Sequence, residues 1–193
     1  MKVGRKMLET FFKILDSYRN KISDYVDIGM IEKKQKELSV EFPQSMIEFY
    51  THFGKDDEVL TSFYVLDKVE DICIENDAVS FGEKHESMGR LGIKLKDLDT
   101  KSQKISWYPY DLKKWYVEEG ASFVFFFDMA AWQILNTMPS IAKVRLSRDK
   151  FEKLIGNHLK YLTEEKLFLL GDVIPVLGND ILGCYLVSDE ELY

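Results

Sequence analysis

Histidine and cysteine, the side chains that most often do chemistry in proteins, are few in this chain and stand far apart. The three histidines are His52, His85 and His158, and the two cysteines are Cys73 and Cys184. Neither an HExxH nor a Cys-x-x-Cys spacing is present, so the sequence predicts no zinc site and no redox dithiol. Two cysteines alone make no disulfide framework, and we expect both to be buried thiols in a reducing cytoplasm.

Other signatures of catalysis are missing from the sequence as well. Gly89 and Gly92 lack the spacing of a phosphate-binding loop, and no GxSxG nucleophile elbow occurs. Carboxylate pairs such as Glu118 and Glu119 resemble solvated surfaces, whereas a general acid needs a desolvated carboxyl group. We therefore predict no enzymatic activity, no catalytic residue, no metal and no cofactor. An enzyme active site or a small-molecule site around His85 and Glu86 stays open as an alternative.

A second group of residues suits the binding of a macromolecule. The aromatic residues Trp107, Tyr108 and Tyr110 lie close to several lysines, a pattern that fits either single-stranded nucleic acid or a protein interface. The net charge of −7 argues against nucleic acid and anionic membrane. Acidic side chains outnumber basic ones by twelve to five in residues 56–100 and by seven to one in residues 164–193. Such blocks suit a basic protein partner, although they also occur simply for solubility.

Hydrophobic periodicity and turn residues outline the elements that position these side chains. Spacings of three and four predict helices over residues 5–25, 30–38, 43–53, 69–75, 122–136 and 147–162. β-Branched and aromatic runs predict strands over residues 59–66, 79–81, 88–94 and 105–108. Between them we expect an exposed loop over 55–58, a turn at Asn76-Asp77 and a connection over 115–120. Two apolar runs around Gly178 predict a hairpin near the end of the chain.

Length and composition predict one domain. A chain of 193 residues with 46% hydrophobic residues can bury a sizeable core. No apolar run approaches the roughly 20 residues that span a membrane, and the amphipathic N-terminal stretch does not resemble a signal peptide. We therefore expect a cytoplasmic protein without membrane contact. Its residues 1–27 would form an amphipathic helix packed on a domain of residues 28–193.

Three motifs, taken in order, resemble the SUKH superfamily, also known as the Smi/Knr-like domain. The opening helical motif of that family is matched by Leu38, Phe42, Pro43, Phe49, Tyr50 and Gly54. Its middle motif is matched by Phe81, Glu83, Gly92, Ile93, Asp97 and Leu98, and the segments that follow by Ile105 and Trp115. His85 and Glu86 replace the usual Asn-Gln, Leu91 replaces a Trp, and Ser102-Gln103 replaces a typical Asp-Pro.

This resemblance implies both a fold and a function. The fold would be α+β, a single domain with a mixed or antiparallel sheet backed by helices. The function would be that of an immunity protein, which binds and blocks a cognate bacterial polymorphic toxin, often a nuclease. We expect the partner to contact Asp56, Asp57, Glu58, Glu83, Glu86, Trp107, Tyr108, Tyr110, Asp189 and Glu190. A regulatory or scaffold module, as in the fungal members, is the alternative from another class.

Overall fold

The chain folds into α-helices and two antiparallel sheets. A computed structural model describes residues 12–13, 15–17, 24–84, 88–98, 103–137, 144–145, 147–155, 157, 160–161, 173–177, 182–186 and 191–192. Residues 12–13 and 15–17 are helical. The later helices are α1 (Ile28–Leu38), α2 (Gln44–Phe53), α3 (Asp57–Thr61), α4 (Ser122–Thr137) and α5 (Arg148–Leu154). Among the described residues, no helix has the length and apolar character needed to cross a bilayer.

The larger sheet has six strands in the order β1-β3-β4-β5-β6, and β2 also pairs with β3. These strands are β1 (Val65–Leu66), β2 (Cys73–Glu75), β3 (Ala78–Lys84), β4 (Gly89–Lys94), β5 (Lys104–Pro109) and β6 (Tyr116–Ala121). A 3-10 turn over Leu95–Asp97 follows β4. All of the described strand pairs are antiparallel, so the α+β prediction is confirmed in its antiparallel form.

A second sheet of five strands, which the sequence analysis did not foresee as a unit, has the order β7-β11-β10-β9-β8. Its strands are β7 (Val144–Arg145), β8 (Lys160–Tyr161), β9 (Val173–Leu177), β10 (Leu182–Leu186) and β11 (Glu191–Leu192). The antiparallel pairing of β9 with β10 confirms the predicted hairpin. The helix α4 contacts both of these strands, so it lies next to the second sheet as well as the first.

The main core lies between one face of the larger sheet and the helices α2 and α4. Phe81 on β3 contacts Phe125 and Phe126 on α4, with ring centroids 5.9 and 5.4 Å apart. Phe126 in turn contacts Phe49 on α2 at 5.4 Å. Buried aromatic rings each remove a large apolar area from water, so this cluster fixes the helices on the sheet.

The described part of the N-terminal helix packs on α2. The ring centroid of Phe12 lies 5.1 Å from that of Phe53, and both side chains are buried. Asp16 Oδ2 lies 2.8 Å from His52 Nε2, inside the protein, so this histidine has the structural role that its helical position suggests. The division of the chain between residues 27 and 28 stays a prediction.

Several predicted elements agree with the structure. The helices over 30–38, 43–53 and 122–136, the strands over 79–81, 88–94 and 105–108 and the turn at Asn76-Asp77 are confirmed. Gly54 ends α2 as expected, and its N–H donates to the carbonyl of Tyr50. The predicted helix over 5–25 is helical at residues 12–13 and 15–17, while Asp24–Asp27 lie outside it. Its other residues fall outside the described part.

Other predictions from the sequence were wrong. The expected strand over 59–66 is the helix α3 followed by bends and only two residues of β1, and the expected loop over 55–58 enters that helix. The expected helix over 69–75 is a turn followed by β2, and the connection over 115–120 is β6. The helix from 147 ends at Leu154, because Ile155 takes an extended conformation. Cys73 is exposed rather than buried.

Candidate partner-binding surface

Arg90 forms the centre of a charged cluster on the face of the larger sheet opposite the aromatic core. Its Nη2 and Nη1 atoms donate to the two carboxylate oxygens of Asp67, at 2.5 and 3.4 Å, in the forked geometry that suits a guanidinium. Its Nε atom donates to Ser80 Oγ at 2.7 Å. Glu75 and Glu83 approach the same guanidinium at longer N–O distances of 3.5 and 3.7 Å. The guanidinium of Arg90 therefore lies within ion-pair distance of three carboxylates.

The register of the strands explains why these side chains meet. Arg90 on β4 pairs with Glu83 on β3 and with Tyr108 on β5, so the three form a row across the sheet. Side chains alternate between the two faces of a strand, so the side chain of Leu91, the residue after Arg90, is directed away from this row. Leu91 accordingly lies in the core.

Burial affects the two charged groups of the Asp67–Arg90 pair differently. Loss of hydration raises the pKa of the Asp67 carboxyl group above its ordinary value, although the hydrogen bond and charge of Arg90 act in the opposite direction. For Arg90 the corresponding loss of hydration is outweighed by Asp67, so its pKa is raised and it stays charged. The pair is thus held in place at some electrostatic cost, as expected for a partly buried ion pair.

Tyr110 joins the cluster from the loop that follows β5. Its hydroxyl donates to Glu83 Oε1 at 2.8 Å, while 41% of the residue remains exposed. Partial burial, and then the hydrogen bond and negative charge of Glu83, raise the pKa of Tyr110 to about 12. The phenol consequently remains a hydrogen-bond donor at neutral pH.

Trp115 crosses the same face and ties two loops together. Its Nε1–H donates to the carbonyl of Asn76 at 2.7 Å, and its ring lies 5.1 Å from that of Tyr108. A Cβ atom at Gly92 would lie 2.8 Å from Cη2 of this ring, so the absence of a side chain there lets the indole approach the strand. We call this surface, formed by Glu75, Glu83, Arg90, Tyr108, Tyr110 and Trp115, the outer face.

The structure brings together three of the residues predicted to contact a partner: Glu83, Tyr108 and Tyr110. Trp107 lies on the opposite side of β5, where it packs against the core and where Lys84 Nζ sits 4.2 Å from its ring centroid. Its partly buried position leaves less of the indole for a partner than the sequence analysis expected.

The acidic residues near α3 have two different environments. Asp56 is only 4% exposed, and its side chain accepts from the Val59 N–H to cap α3, a structural role that the prediction of an exposed loop did not include. Asp57 and Glu58 are exposed, and Asp57 forms a 2.9 Å ion pair with Lys68. Glu86, Asp189 and Glu190 lie outside the described residues, and so does His85.

Asp67, Glu75 and Arg90 belong to the cluster but were not singled out from the sequence. Each is one charged residue among many, and their contacts join residues as much as 23 positions apart. A signal was present for Arg90 and Trp115, because both lie within residues 81–115, which resemble the middle motif of the SUKH superfamily and the segments that follow it. That signal identified the segment, but it did not identify the residues that the side chains of Arg90 and Trp115 contact.

The described residues hold no group of three or more His, Cys, Asp or Glu side chains placed to bind a metal ion. A groove of about 840 Å³ runs between the end of α1 and the 3-10 turn. Its lining is largely polar and consists of Glu32, Gln35, Lys36, Ser39, Val40, Glu41, Leu95 and Leu98.

Comparisons of the chain with protein-family models, with curated proteins and with solved structures gave no significant match in any of the three. The membership of the chain in the SUKH superfamily remains a prediction from its sequence motifs.

Proposed function

We propose that this protein is a non-enzymatic immunity protein of the SUKH type, which binds a cognate bacterial toxin in the cytoplasm and thereby blocks it. The observation that carries the proposal is the outer face, where an exposed tyrosine adjoins three carboxylates that share one arginine. Tyrosine is enriched at the energetic centres of protein interfaces. Such a surface suits a protein partner.

The charge of the chain is consistent with the type of partner. A protein with a net charge of −7 accelerates its encounter with a basic protein, and a nuclease that binds phosphates is commonly basic. Exposed acids away from the outer face, including Asp57 and Glu58, would add to this long-range attraction. A basic nuclease is therefore the class of toxin that the electrostatics favour.

Co-expression with the product of the adjacent open reading frame tests this function. We expect the neighbouring product to kill the host cells when it is expressed alone. Co-expression of the present protein should restore growth, and the two proteins should co-purify. A harmless neighbour, or one that kills equally in the presence of this protein, would contradict the immunity function and favour the regulatory or scaffold alternative.

A further inference from the structure

We infer that the outer face is the docking surface for the toxin, and that the toxin presents to it a lysine or arginine flanked by apolar side chains. This inference rests on the proposed function and assigns it to one surface of the molecule. Exposed apolar groups, excess negative charge and a rigid frame occur in and beside one part of the larger sheet.

An exposed aromatic side chain, Tyr110, adjoins the carboxylates, and two exposed aliphatic side chains lie in the loop and the strand that follow it. Tyr110 is 41% exposed, and Leu112 in the following loop is 56% exposed. Val117, 43% exposed, pairs with Ser106 across β5–β6 and so shares the face of Arg90, since Ser106 pairs with Gly92, two residues from Arg90. Apolar groups in an exposed loop and an outermost strand lose their contact with water when a partner covers them.

The charge of the surface determines which partner fits. The forked hydrogen bonds of Arg90 are directed to Asp67, while Glu75 and Glu83 meet the guanidinium only at 3.5 and 3.7 Å. Three carboxylates and one guanidinium leave two negative charges to be balanced. A basic side chain from a partner would supply the missing positive charge beside the apolar groups.

Two other occupants fit this surface less well. A second copy of the chain, bound through the same face, would bring two copies of the same negatively charged cluster together, and like charges at an interface are unfavourable. Nucleic acid would place phosphates against the carboxylates of that cluster. Charge complementarity therefore selects a basic protein.

The frame of the outer face is already fixed without a partner. Arg90 is held by Asp67 and Ser80, and Trp115 is held by its hydrogen bond to the carbonyl of Asn76. A surface whose side chains are ordered before binding loses less conformational entropy on association. The exposed parts, Tyr110 and Leu112, extend from this frame.

The test compares two charge-matched double variants for binding to the purified product of the adjacent open reading frame. The first is Glu75→Gln with Glu83→Gln on the outer face. The second is Glu32→Gln with Glu41→Gln, which removes the same charge from exposed positions near α1. We expect the outer-face variant to raise Kd at least about 10-fold and the control to change it less than about 3-fold. Leu112→Ala should raise Kd by about 5-fold or more.

The possible results distinguish a failure of the outer-face inference from a failure of the proposed function. If the wild-type protein binds and both double variants weaken binding equally, the outer-face inference is overturned while the proposed function stands. Absence of wild-type binding overturns both. If the free protein is a dimer that Leu112→Ala dissociates, the outer face is a self-interface and the inference is wrong. Circular dichroism of each variant verifies that it is folded.

Discussion

Replacement of Arg90 by methionine should destabilise the protein, because it removes the only cation that contacts Asp67, Glu75 and Glu83 among the described residues. The Arg90 and Asp67 side chains are 13% and 16% exposed, so the carboxylate left behind would be largely without water. Removing one partner of a buried ion pair costs about 3–5 kcal/mol. Because water has partial access to this pair, we expect a smaller loss of unfolding free energy, about 2–4 kcal/mol at pH 7.

The pH dependence gives this prediction a second, independent readout. Asp67 has a raised pKa in the folded protein, so the folded state holds its proton more tightly than the unfolded chain does. This contribution to stability is present below the unfolded pKa and is lost as the pH rises through the folded pKa. Without Arg90 the folded pKa of Asp67 would rise further. The stability difference between Arg90→Met and wild type should therefore shrink as the pH falls from 7 towards 4.

Urea unfolding, followed by far-UV circular dichroism and tryptophan fluorescence at both pH values, measures these differences. Arg148→Met is the control, because Arg148 forms an i,i+4 ion pair with Glu152 on α5 whose partners are 35% and 43% exposed, and its guanidinium lies 5.6 Å from the ring centroid of Phe151. Such a surface pair is worth about 0.5 kcal/mol, and an exposed cation–π contact adds about 0.5–1 kcal/mol. An Arg90→Met variant that loses no more stability than this control, or whose loss grows as the pH falls, would refute the reasoning.

Three further predictions concern single contacts. Gln133→Met should cost roughly 3 kcal/mol, since the fully buried amide makes four hydrogen bonds to backbone groups of residues 59–64; urea unfolding measures the loss. Gly92→Ala should cost about 1–3 kcal/mol, because the new Cβ would lie 2.8 Å from both the Trp115 ring and the Val79 carbonyl oxygen, and it should shift the indole N–H resonance of Trp115 in NMR spectra. Glu83→Gln should lower the pKa of Tyr110 from about 12 by removing the adjacent negative charge, as an NMR titration of the phenol would show.

Each of these three predictions has a control substitution, and the comparison with that control shows which result would contradict the prediction. Asn136→Ala removes an exposed amide from the same helix as Gln133, and an equal loss in both variants would contradict the proposed role of Gln133. Gly29→Ala adds a Cβ at ordinary contact distance, so a similar cost there would argue against a clash at Gly92. Glu75 makes a smaller contribution to the pKa of Tyr110, which Glu75→Gln should lower less than Glu83→Gln does.

Some elements could be predicted from residues that lie within them or at their ends. Helix α2 was predictable because Pro43 precedes it, Gly54 ends it, and the intervening apolar residues recur at helical spacing. Asn76 and Asp77 have φ angles of 49° and 60°, the conformation that this residue pair tolerates in a two-residue hairpin loop. In both cases the residues that decide the conformation lie within the element itself.

The wrong predictions arose where distant residues decide the structure. Residues 59–66 have the composition of a strand, but the Asp56 cap starts a helix there and Gln133, about 70 positions away, binds the backbone that follows. Similarly, Glu83 and Tyr110 were predicted to contact a partner from their charge and aromatic character alone. Their joint contact, and the role of Arg90 between the carboxylates, depend on strand register, which the sequence analysis did not specify.

The measurement that tests the central claim most directly is isothermal titration calorimetry of the wild-type protein with the purified product of the adjacent open reading frame. If the protein neutralises a cognate toxin, we expect a 1:1 complex with Kd on the order of nanomolar, as for other specific protein pairs of standard interface size. No binding at concentrations of about 100 µM, a level far above any such Kd, would contradict the account.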